Sequence, residues 1–147
     1  MGQIYERGEL RGLKLSDINM PIIFCNATSS DIKKLKEIGY TLFELNTFLA
    51  ERLTAIDQED RHVKAESIAR ELLADNSTPL ILQRFEMLFD PRYKIDPIKL
   101  FELTAKQVSL AVIWPGSIKG QTLTYADPGH TDYHQYNVSE YNVFCCE

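Results

Sequence analysis

The sequence predicts a single-domain α/β protein in which a mostly parallel, five-stranded sheet lies between layers of helices. Short apolar runs alternate with helical patterns along the chain, which is typical of β-α-β units and a parallel sheet. The runs are apolar over most of their length, as expected of strands that are buried on both faces. The chain has 147 residues, of which 44% are apolar and 25% charged, so it can form one globular core. We therefore expect a three-layer sandwich.

The first half of the chain supplies two strands and three helices of this sandwich. Residues 1–20 are polar and irregular, which predicts an N-terminal arm or edge element before an α/β domain at residues 21–147. The predicted strands are Pro21–Cys25 and Tyr40–Leu45, and the predicted helices are Thr28–Ile38, Thr47–Ile56 and Arg61–Ala74. On the second helix, the residues expected on one apolar side are Phe48, Leu49, Leu53 and Ile56.

The second half supplies the remaining strands and one helix. Strands are predicted within Pro79–Phe85, Val108–Trp114 and Tyr141–Cys145, with a short extended piece at Gln121–Tyr125. Asp96 suits the N-cap of a helix and Pro97 suits its first position, which predicts a helix from there to about Lys106. The strand that ends at Trp114 leads into a long polar segment rich in aromatic residues. Such segments are where α/β proteins usually place their sites.

Composition and charge exclude several classes of function. The net charge of −5 argues against a generally basic nucleic-acid-binding protein. The tight basic cluster of Lys33, Lys34 and Lys36 predicts a solvated helix face. No stretch approaches the roughly 20 apolar residues that a membrane span needs, and the first residues do not form a signal peptide. The three cysteines are an odd number and make a poor disulfide framework, so we expect a cytoplasmic protein with no membrane partner.

The first strand, loop and helix have the layout of a phosphate-binding P-loop, but the residues differ from the motif. The motif G-x-x-x-x-G-K-[ST] needs its glycines so that backbone N–H groups can surround phosphate. Asn26 and Asp31 stand at the glycine positions, and Lys33 stands at the hydroxyl position. Thr28 and Asp31 instead match a capping box, in which Asp31 would take the place of a phosphate. We expect a vestigial nucleotide cleft here, formed by Asn26, Thr28, Ser30, Asp31 and Lys33.

The third strand lacks the other half of a nucleotide site. P-loop NTPases carry an aspartate at the end of an apolar strand, often followed by a glutamate, to hold magnesium and to activate water. Gln83 occupies the aspartate position here, and its neutral amide is a poor magnesium ligand. Glu86 remains nearby. Gln83 and Glu86 complete the vestigial cleft, for which we expect neither ATP nor magnesium as a cofactor and assign no catalytic residue.

Several motifs together carry a resemblance to a known family. They are Phe85-Glu86-x-Leu88-Phe89-Asp90-Pro91, Asp96-Pro97, Trp114-x-Gly116 and Leu123-Thr124-Tyr125-Ala126-x-Pro128-Gly129-His130-x-x-Tyr133, with a weaker match at Asn46–Leu53. In their order and spacing the chain resembles BrxF, the small P-loop protein of type 3 BREX phage-defence systems. The resemblance implies a P-loop NTPase-like fold with sheet order 5-1-4-3-2 and a role in phage defence. Because the glycine-rich loop and the strand-three aspartate of the family are missing, it does not imply ATP hydrolysis.

The same sheet order implies where the vestigial cleft lies. The ends of strands one, three and four would meet at one edge of the sheet. Asn26, Gln83, Glu86 and Trp114 would then line a single cleft.

The aromatic C-terminal segment is a candidate docking surface, because tyrosine and tryptophan are enriched in the cores of interfaces. Its predicted residues are Trp114, Tyr125, His130, Tyr133 and Tyr136. Residues 121–147 contain no lysine or arginine, which argues against direct binding of nucleic acid. The expected partners are larger proteins of the same defence system, or a second copy of the chain, with nucleic acid reached only indirectly.

Two other functions stay open. One is an active NTPase with an atypical phosphate loop that uses Lys33 or Lys34 together with Glu86. The other is a DNA-binding accessory protein that uses Arg11 and the lysine cluster of α-helical residues 33–36. These two hypotheses differ in what they need, since the first requires ATP with magnesium and the second requires salt-dependent binding to DNA.

A metal site is the remaining chemistry of the C-terminal segment. His130 and His134 lie four residues apart, but a zinc site would need a helix or a fixed turn to aim both rings. Pro128-Gly129 disfavours a regular helix at His130. The sequence therefore predicts no bound metal.

Overall fold

The computed structural model describes residues 3–5, 19–126, 129 and 132–146. These residues form a six-stranded parallel sheet, four α-helices and a separate three-stranded antiparallel sheet. The predicted α/β class and the parallel sheet with helices between its strands are confirmed. None of the helices in the described ranges has the length and apolar character of a membrane span.

The elements follow one another as strand, helix and strand in most of the chain. The strands are β1 Gln3–Tyr5, β2 Ile22–Phe24, β3 Thr41–Glu44, β4 Leu80–Gln83, β5 Leu110–Ile113, β6 Ser117–Lys119, β7 Thr122–Tyr125, β8 His134–Asn137 and β9 Phe144–Cys146. The helices are α1 Ser29–Glu37, α2 Leu45–Thr54, α3 Gln58–Ala74 and α4 Pro97–Ala105. Strand β1 lies within the predicted N-terminal arm, so that part of the arm is an edge strand.

The order of strands along the main sheet is β1-β9-β2-β5-β4-β3, and every neighbouring pair is parallel. In the numbering of the five strands predicted from the sequence, the order from β9 to β3 is 5-1-4-3-2. Strand β2 lies between β5 and β9, with Ile23 opposite Val112 on one side and Cys145 on the other. A backbone hydrogen bond of 2.8 Å from Cys25 N to Cys146 O extends the second pairing.

The two faces of the sheet carry separate hydrophobic cores. On one face Ile22, Phe24 and Ile81 pack with Leu35 of α1. On the other face Ile23, Leu82, Val112 and their neighbours pack with α2, α3, α4 and the small antiparallel sheet. Among the described helices, α1 therefore covers one face alone, while three helices share the opposite face.

Helix α2 differs from its predicted orientation at one residue. The buried residues are Leu45, Leu49 and Leu53, which are spaced four apart along one side of the helix. Phe48 is 44% exposed and stacks on Phe43 with ring centroids 5.2 Å apart. The placement of Phe48 in the core is wrong because Leu45 begins the helix and sets its buried stripe, which leaves Phe48 over the edge strand β3.

The connection from β5 to β9 is the small antiparallel sheet instead of a helix. Strands β6, β7 and β8 pair in that order, with Leu123 between Ile118 and Tyr136. An aromatic cluster attaches this sheet to the core. Phe89 stacks on Tyr125 at 3.8 Å with an interplanar angle of 6°, and Trp114 meets Tyr136 edge to face at 5.9 Å. Sheet order and helical pattern alone do not predict such a connection.

One hydrogen bond and one glycine fix the entry into the small sheet. The Trp114 indole Nε1 donates to the Thr124 carbonyl oxygen at 2.9 Å. A Cβ atom at residue 116 would overlap the same oxygen, so only glycine allows the chain to pass there. The Trp114-x-Gly116 spacing is thus a requirement of packing.

We predict that Gly116→Ala destabilises the protein by about 2–3 kcal/mol, because the new methyl group must displace the Thr124 carbonyl from its hydrogen bond. Gly120→Ala is the matched control. Gly120 has φ +57° with open space around the missing Cβ, so its substitution costs only about 1 kcal/mol of backbone strain. Urea unfolding followed by tryptophan fluorescence measures both. An equal loss in the two variants would show that the contact with Thr124 is not the cause.

Candidate functional site

The candidate site is the edge of the main sheet at which β2 and β5 end. Helix α1 leaves β2 on one face and leads to β3, whereas the small sheet leaves β5 on the other face and leads to β9. In open α/β sheets such a divergence opens a crevice outside the carboxyl ends of the strands, where ligands bind. The two strand ends are joined by the Trp114 N–H, which donates to the Phe24 carbonyl at 3.0 Å.

A capping box closes the loop after β2. Only residues 25–28 separate β2 from α1. The backbone N–H of Thr28 donates to Asp31 Oδ2 at 2.8 Å, and the backbone N–H of Asp31 donates to Thr28 Oγ1 at 3.2 Å. The predicted capping box is confirmed. Its carboxylate already lies at the positive end of α1, so a phosphate placed there would meet a negative charge.

The other predicted residues of this loop are solvent-facing. Asn26 is exposed and has φ +55°, a left-handed conformation that asparagine tolerates better than most residues. Ser30 and Lys33 are exposed on the first turns of α1. The lysine cluster lies on the solvated face of the helix, as its sequence predicts.

Glu86 is held by a residue that the sequence did not assign to the site. Asn46 Nδ2 donates to Glu86 Oε2 at 2.8 Å, and Asn46 Oδ1 accepts the backbone N–H of Met87 at 3.1 Å. The backbone N–H of Asn46 donates in turn to the Arg84 carbonyl at 2.7 Å. Arg84 has φ +53°, so the chain turns sharply where β4 ends. The weaker family match that begins at Asn46 was the one sequence feature that pointed to this residue.

The sheet edge assembles only part of the predicted cleft. Gln83 ends β4, half-buried and opposite Glu44 of β3, and Glu86 follows it. Asn26 lies at the same edge after β2, and β5 separates β2 from β4. Trp114 does not line a cleft, because it is 3% exposed and its ring packs against Phe85 and Phe89. Its predicted place in the cleft is wrong for that reason.

The predicted docking surface is also divided between core and surface. Trp114 and Tyr136 are 3% and 7% exposed, so their placement on an exposed surface is wrong; both rings belong to the aromatic cluster. Tyr125 and Tyr133 are partly exposed. His130 lies outside the described residues.

Burial affects the ionisation of the tyrosine hydroxyls in this region. It raises the pKa of Tyr136 well above its usual range, with a further contribution from the charge of Asp96. Burial likewise raises the pKa of Tyr125, and the charges of Glu86 and Asp132 add to it. These hydroxyls therefore stay protonated to a higher pH than the hydroxyl of a free tyrosine, which is itself neutral at physiological pH.

The outer face of the small sheet is the exposed part of the C-terminal segment. It forms a pocket of about 440 Å³ lined by Ser117, Lys119, Thr122, Thr124, Ala126, Tyr133 and Gln135. Ser117 Oγ and Thr124 Oγ1 lie 2.8 Å apart, and Gln135 Nε2 donates to the Tyr133 hydroxyl at 2.6 Å. This hydroxyl- and amide-rich surface can form hydrogen bonds with a partner.

The described residues contain no group of three or more His, Cys, Asp or Glu side chains placed to bind a metal ion. His134 Nδ1 lies 2.8 Å from the Asp132 carbonyl oxygen and forms a local hydrogen bond. Cys25, Cys145 and Cys146 are all buried.

The motifs behind the family resemblance have structural roles that the geometry explains. Asp96 accepts hydrogen bonds from the backbone of Ile98 and Lys99 at the start of α4, and its Oδ2 accepts the Tyr141 hydroxyl at 2.8 Å. Asp90 accepts hydrogen bonds from Arg92 Nε and Nη2, and the Arg92 side chain holds the pKa of Asp90 below its usual range. These acidic side chains therefore cap turns and join elements.

Comparison with family models, with curated proteins and with solved structures found no match for this chain.

We predict that Asn46→Ala lowers the free energy of unfolding by about 1–2 kcal/mol, because it removes both bonds to the Glu86 turn and leaves polar groups without partners. Asn46→Asp should cost more, since it places a second carboxylate against Glu86. Asn19→Ala is the control, at an exposed asparagine whose side chain is given no hydrogen bond by the described residues. Denaturant titration compares the three variants, and an effect of Asn46→Ala no larger than the control would contradict the assigned role.

Proposed function

We propose that this chain is a non-catalytic, P-loop-like accessory subunit of a BREX-type phage-defence system that acts by docking onto larger proteins of that system. The observation that carries the non-catalytic assignment is the Asp31 carboxylate, which accepts the N–H of Thr28 where a P-loop would receive phosphate. The defence system enters the proposal through the family resemblance. The order 5-1-4-3-2 of the strands from β9 to β3 supports a P-loop NTPase-like fold, because the family resemblance implies that order.

Of the two groups that would support ATP hydrolysis, one is replaced and the other already accepts a hydrogen bond from a neighbouring side chain. Gln83 stands where a magnesium-binding aspartate is needed, and the amide of Asn46 occupies the Glu86 carboxylate at 2.8 Å. That hydrogen bond holds one oxygen of the Glu86 carboxylate against the helix that follows β3. The same edge therefore favours a structural use of Glu86, which fixes the turn after β4.

We assign the C-terminal segment the role of docking onto a protein partner. Its aromatic rings are largely used to attach the small sheet, which gives that sheet a rigid support. The outer face then presents Tyr133, Gln135 and a row of hydroxyl groups to solvent. Rigid polar surfaces with a tyrosine suit protein partners, since little conformational entropy is lost on binding. The odd number of cysteines, all three of them buried, supports a reducing, cytoplasmic setting.

We expect no binding of ATP with magnesium. Thermal melting at about 5 mM ATP should shift the midpoint by less than about 1 °C, because a ligand that does not bind the native state cannot stabilise it. Lys33→Ala and Lys34→Ala should change nothing in this assay. Heat of binding in calorimetry that is lost in Lys33→Ala would overturn the non-catalytic assignment and favour the atypical NTPase.

We expect the chain to co-purify in fixed stoichiometry with a larger component when it is co-expressed with the proteins of the defence system. Tyr133→Ser combined with Lys119→Glu should reduce recovery of that partner at least about tenfold, since central aromatic residues dominate interface energies. Phe48→Ser is the control, because Phe48 is an exposed aromatic residue at the β3 edge. A chain that stays alone with every component, or equal losses in both variants, speaks against docking through the small sheet.

A further inference from the structure

We propose that a second site, a pocket between α3 and the turn at residues 91–93, binds the phosphoryl group of a small phosphomonoester. The pocket has a volume of about 450 Å³, within the range of small-molecule sites. Its lining residues are Gln58, Arg61, His62, Arg92 and Tyr93. None of them belongs to the vestigial cleft or to the outer face of the small sheet, so this proposal does not rest on the proposed function.

Helical spacing gathers the polar and basic groups of α3 on the pocket side. Gln58, Arg61 and His62 are related by three and four residues and therefore share one face of the helix. Asp57 and Glu59 line the adjoining pocket together with Gln58, and Asp90 pairs with Arg92 at 2.6 Å. The described lining of the pocket itself carries Arg61, His62 and Arg92 and no carboxylate.

Arg61 is oriented for a ligand. Its Nε donates to the Ile56 carbonyl oxygen at 3.3 Å, which anchors the guanidinium to the loop between α2 and α3. Within the described residues its terminal nitrogens have no hydrogen-bond acceptor. They can therefore donate to a group that enters the pocket.

Arg92 is held in place by its neighbour. Its Nε and Nη2 donate to the two oxygens of Asp90 at 3.0 and 2.6 Å, which fixes the plane of the guanidinium. The N–H groups of Nη1 lie outside this fork. The Arg92 guanidinium carbon is 5.9 Å from the centre of the Tyr93 ring, so the aromatic ring lies beside the charged group.

The combination selects a phosphoryl group over a carboxylate. The guanidinium groups of Arg61 and Arg92 offer several N–H donors to the oxygens of a phosphomonoester, whereas one carboxylate offers only two oxygens. Asp90 already balances the charge of Arg92, so the match rests on these donors and on the charge of Arg61. The half-buried Tyr93 ring gives the organic part of the ester a surface to pack against. The ligand class is therefore a phosphomonoester with a flat or apolar substituent.

The test is a titration of the full chain followed by amide NMR shifts, with inorganic phosphate, phenyl phosphate and phenol as separate probes. Phenyl phosphate should shift the amides of the lining residues and bind more tightly than phosphate, and phenol should leave them unchanged. Absence of shifts at millimolar phenyl phosphate overturns the proposal, as does equal binding of phenol. Equal affinity for inorganic phosphate would overturn recognition of the ester.

Variants locate the binding site. Arg92→Gln and Arg61→Gln should each weaken phenyl phosphate binding by about tenfold or more, the effect of losing charge-assisted hydrogen bonds. Arg70→Gln is the matched control, because Arg70 lies on the same helix and pairs with Glu66 at 3.4 Å outside the pocket. Equal weakening in all three variants overturns the pocket assignment. Shifts confined to residues 28–33 would also overturn the pocket assignment, and they would in addition contradict the proposed function. A lack of shifts at any residue would overturn the pocket assignment alone.

Discussion

The C-terminal third of the protein depends on the indole of Trp114. Its ring fills the space between Phe85, Phe89 and Tyr136, and its N–H satisfies the carbonyl of Thr124 in the neighbouring sheet. A buried carbonyl without a partner is costly, so the hydrogen bond and the aromatic packing favour the same arrangement. Gly116 is required because the chain must pass that carbonyl closely. This contact places the strands β6, β7 and β8 against the main sheet.

The sequence predicted the elements and their class because each depends on local patterns. Apolar runs, the Thr28-Asp31 capping box and the Asp96-Pro97 helix start are set by residues within a few positions of one another. The antiparallel sheet and the burial of Tyr136 depend on contacts with Phe89 and Trp114, which lie far away in the chain. An aromatic-rich polar segment has the same composition whether its rings face solvent or a core, which explains why part of the docking surface was misplaced.

In the candidate site, too, the local features could be predicted from the sequence and the long-range contacts could not. The replacement of the glycines and the aspartate could be read directly from the sequence, and so could the carboxylate that substitutes for phosphate. The partner of Glu86 could not, because Asn46 follows a different strand and reaches Glu86 only through the parallel pairing of β3 with β4. The basic pocket on α3 is likewise formed by two segments that are separated in sequence, and neither segment alone is unusually basic.

The central position of β2 has a consequence for how the chain folds during synthesis. β2 is synthesised well before β9, which is one of its two neighbours in the sheet. Until β9 has left the ribosome, β2 carries an open hydrogen-bonding edge formed by Ile22, Ile23 and Phe24. Such long-range pairing slows folding and exposes an apolar strand that can pair with other chains. We therefore expect this edge to need protection, by a chaperone or by a partner, until β9 has been synthesised.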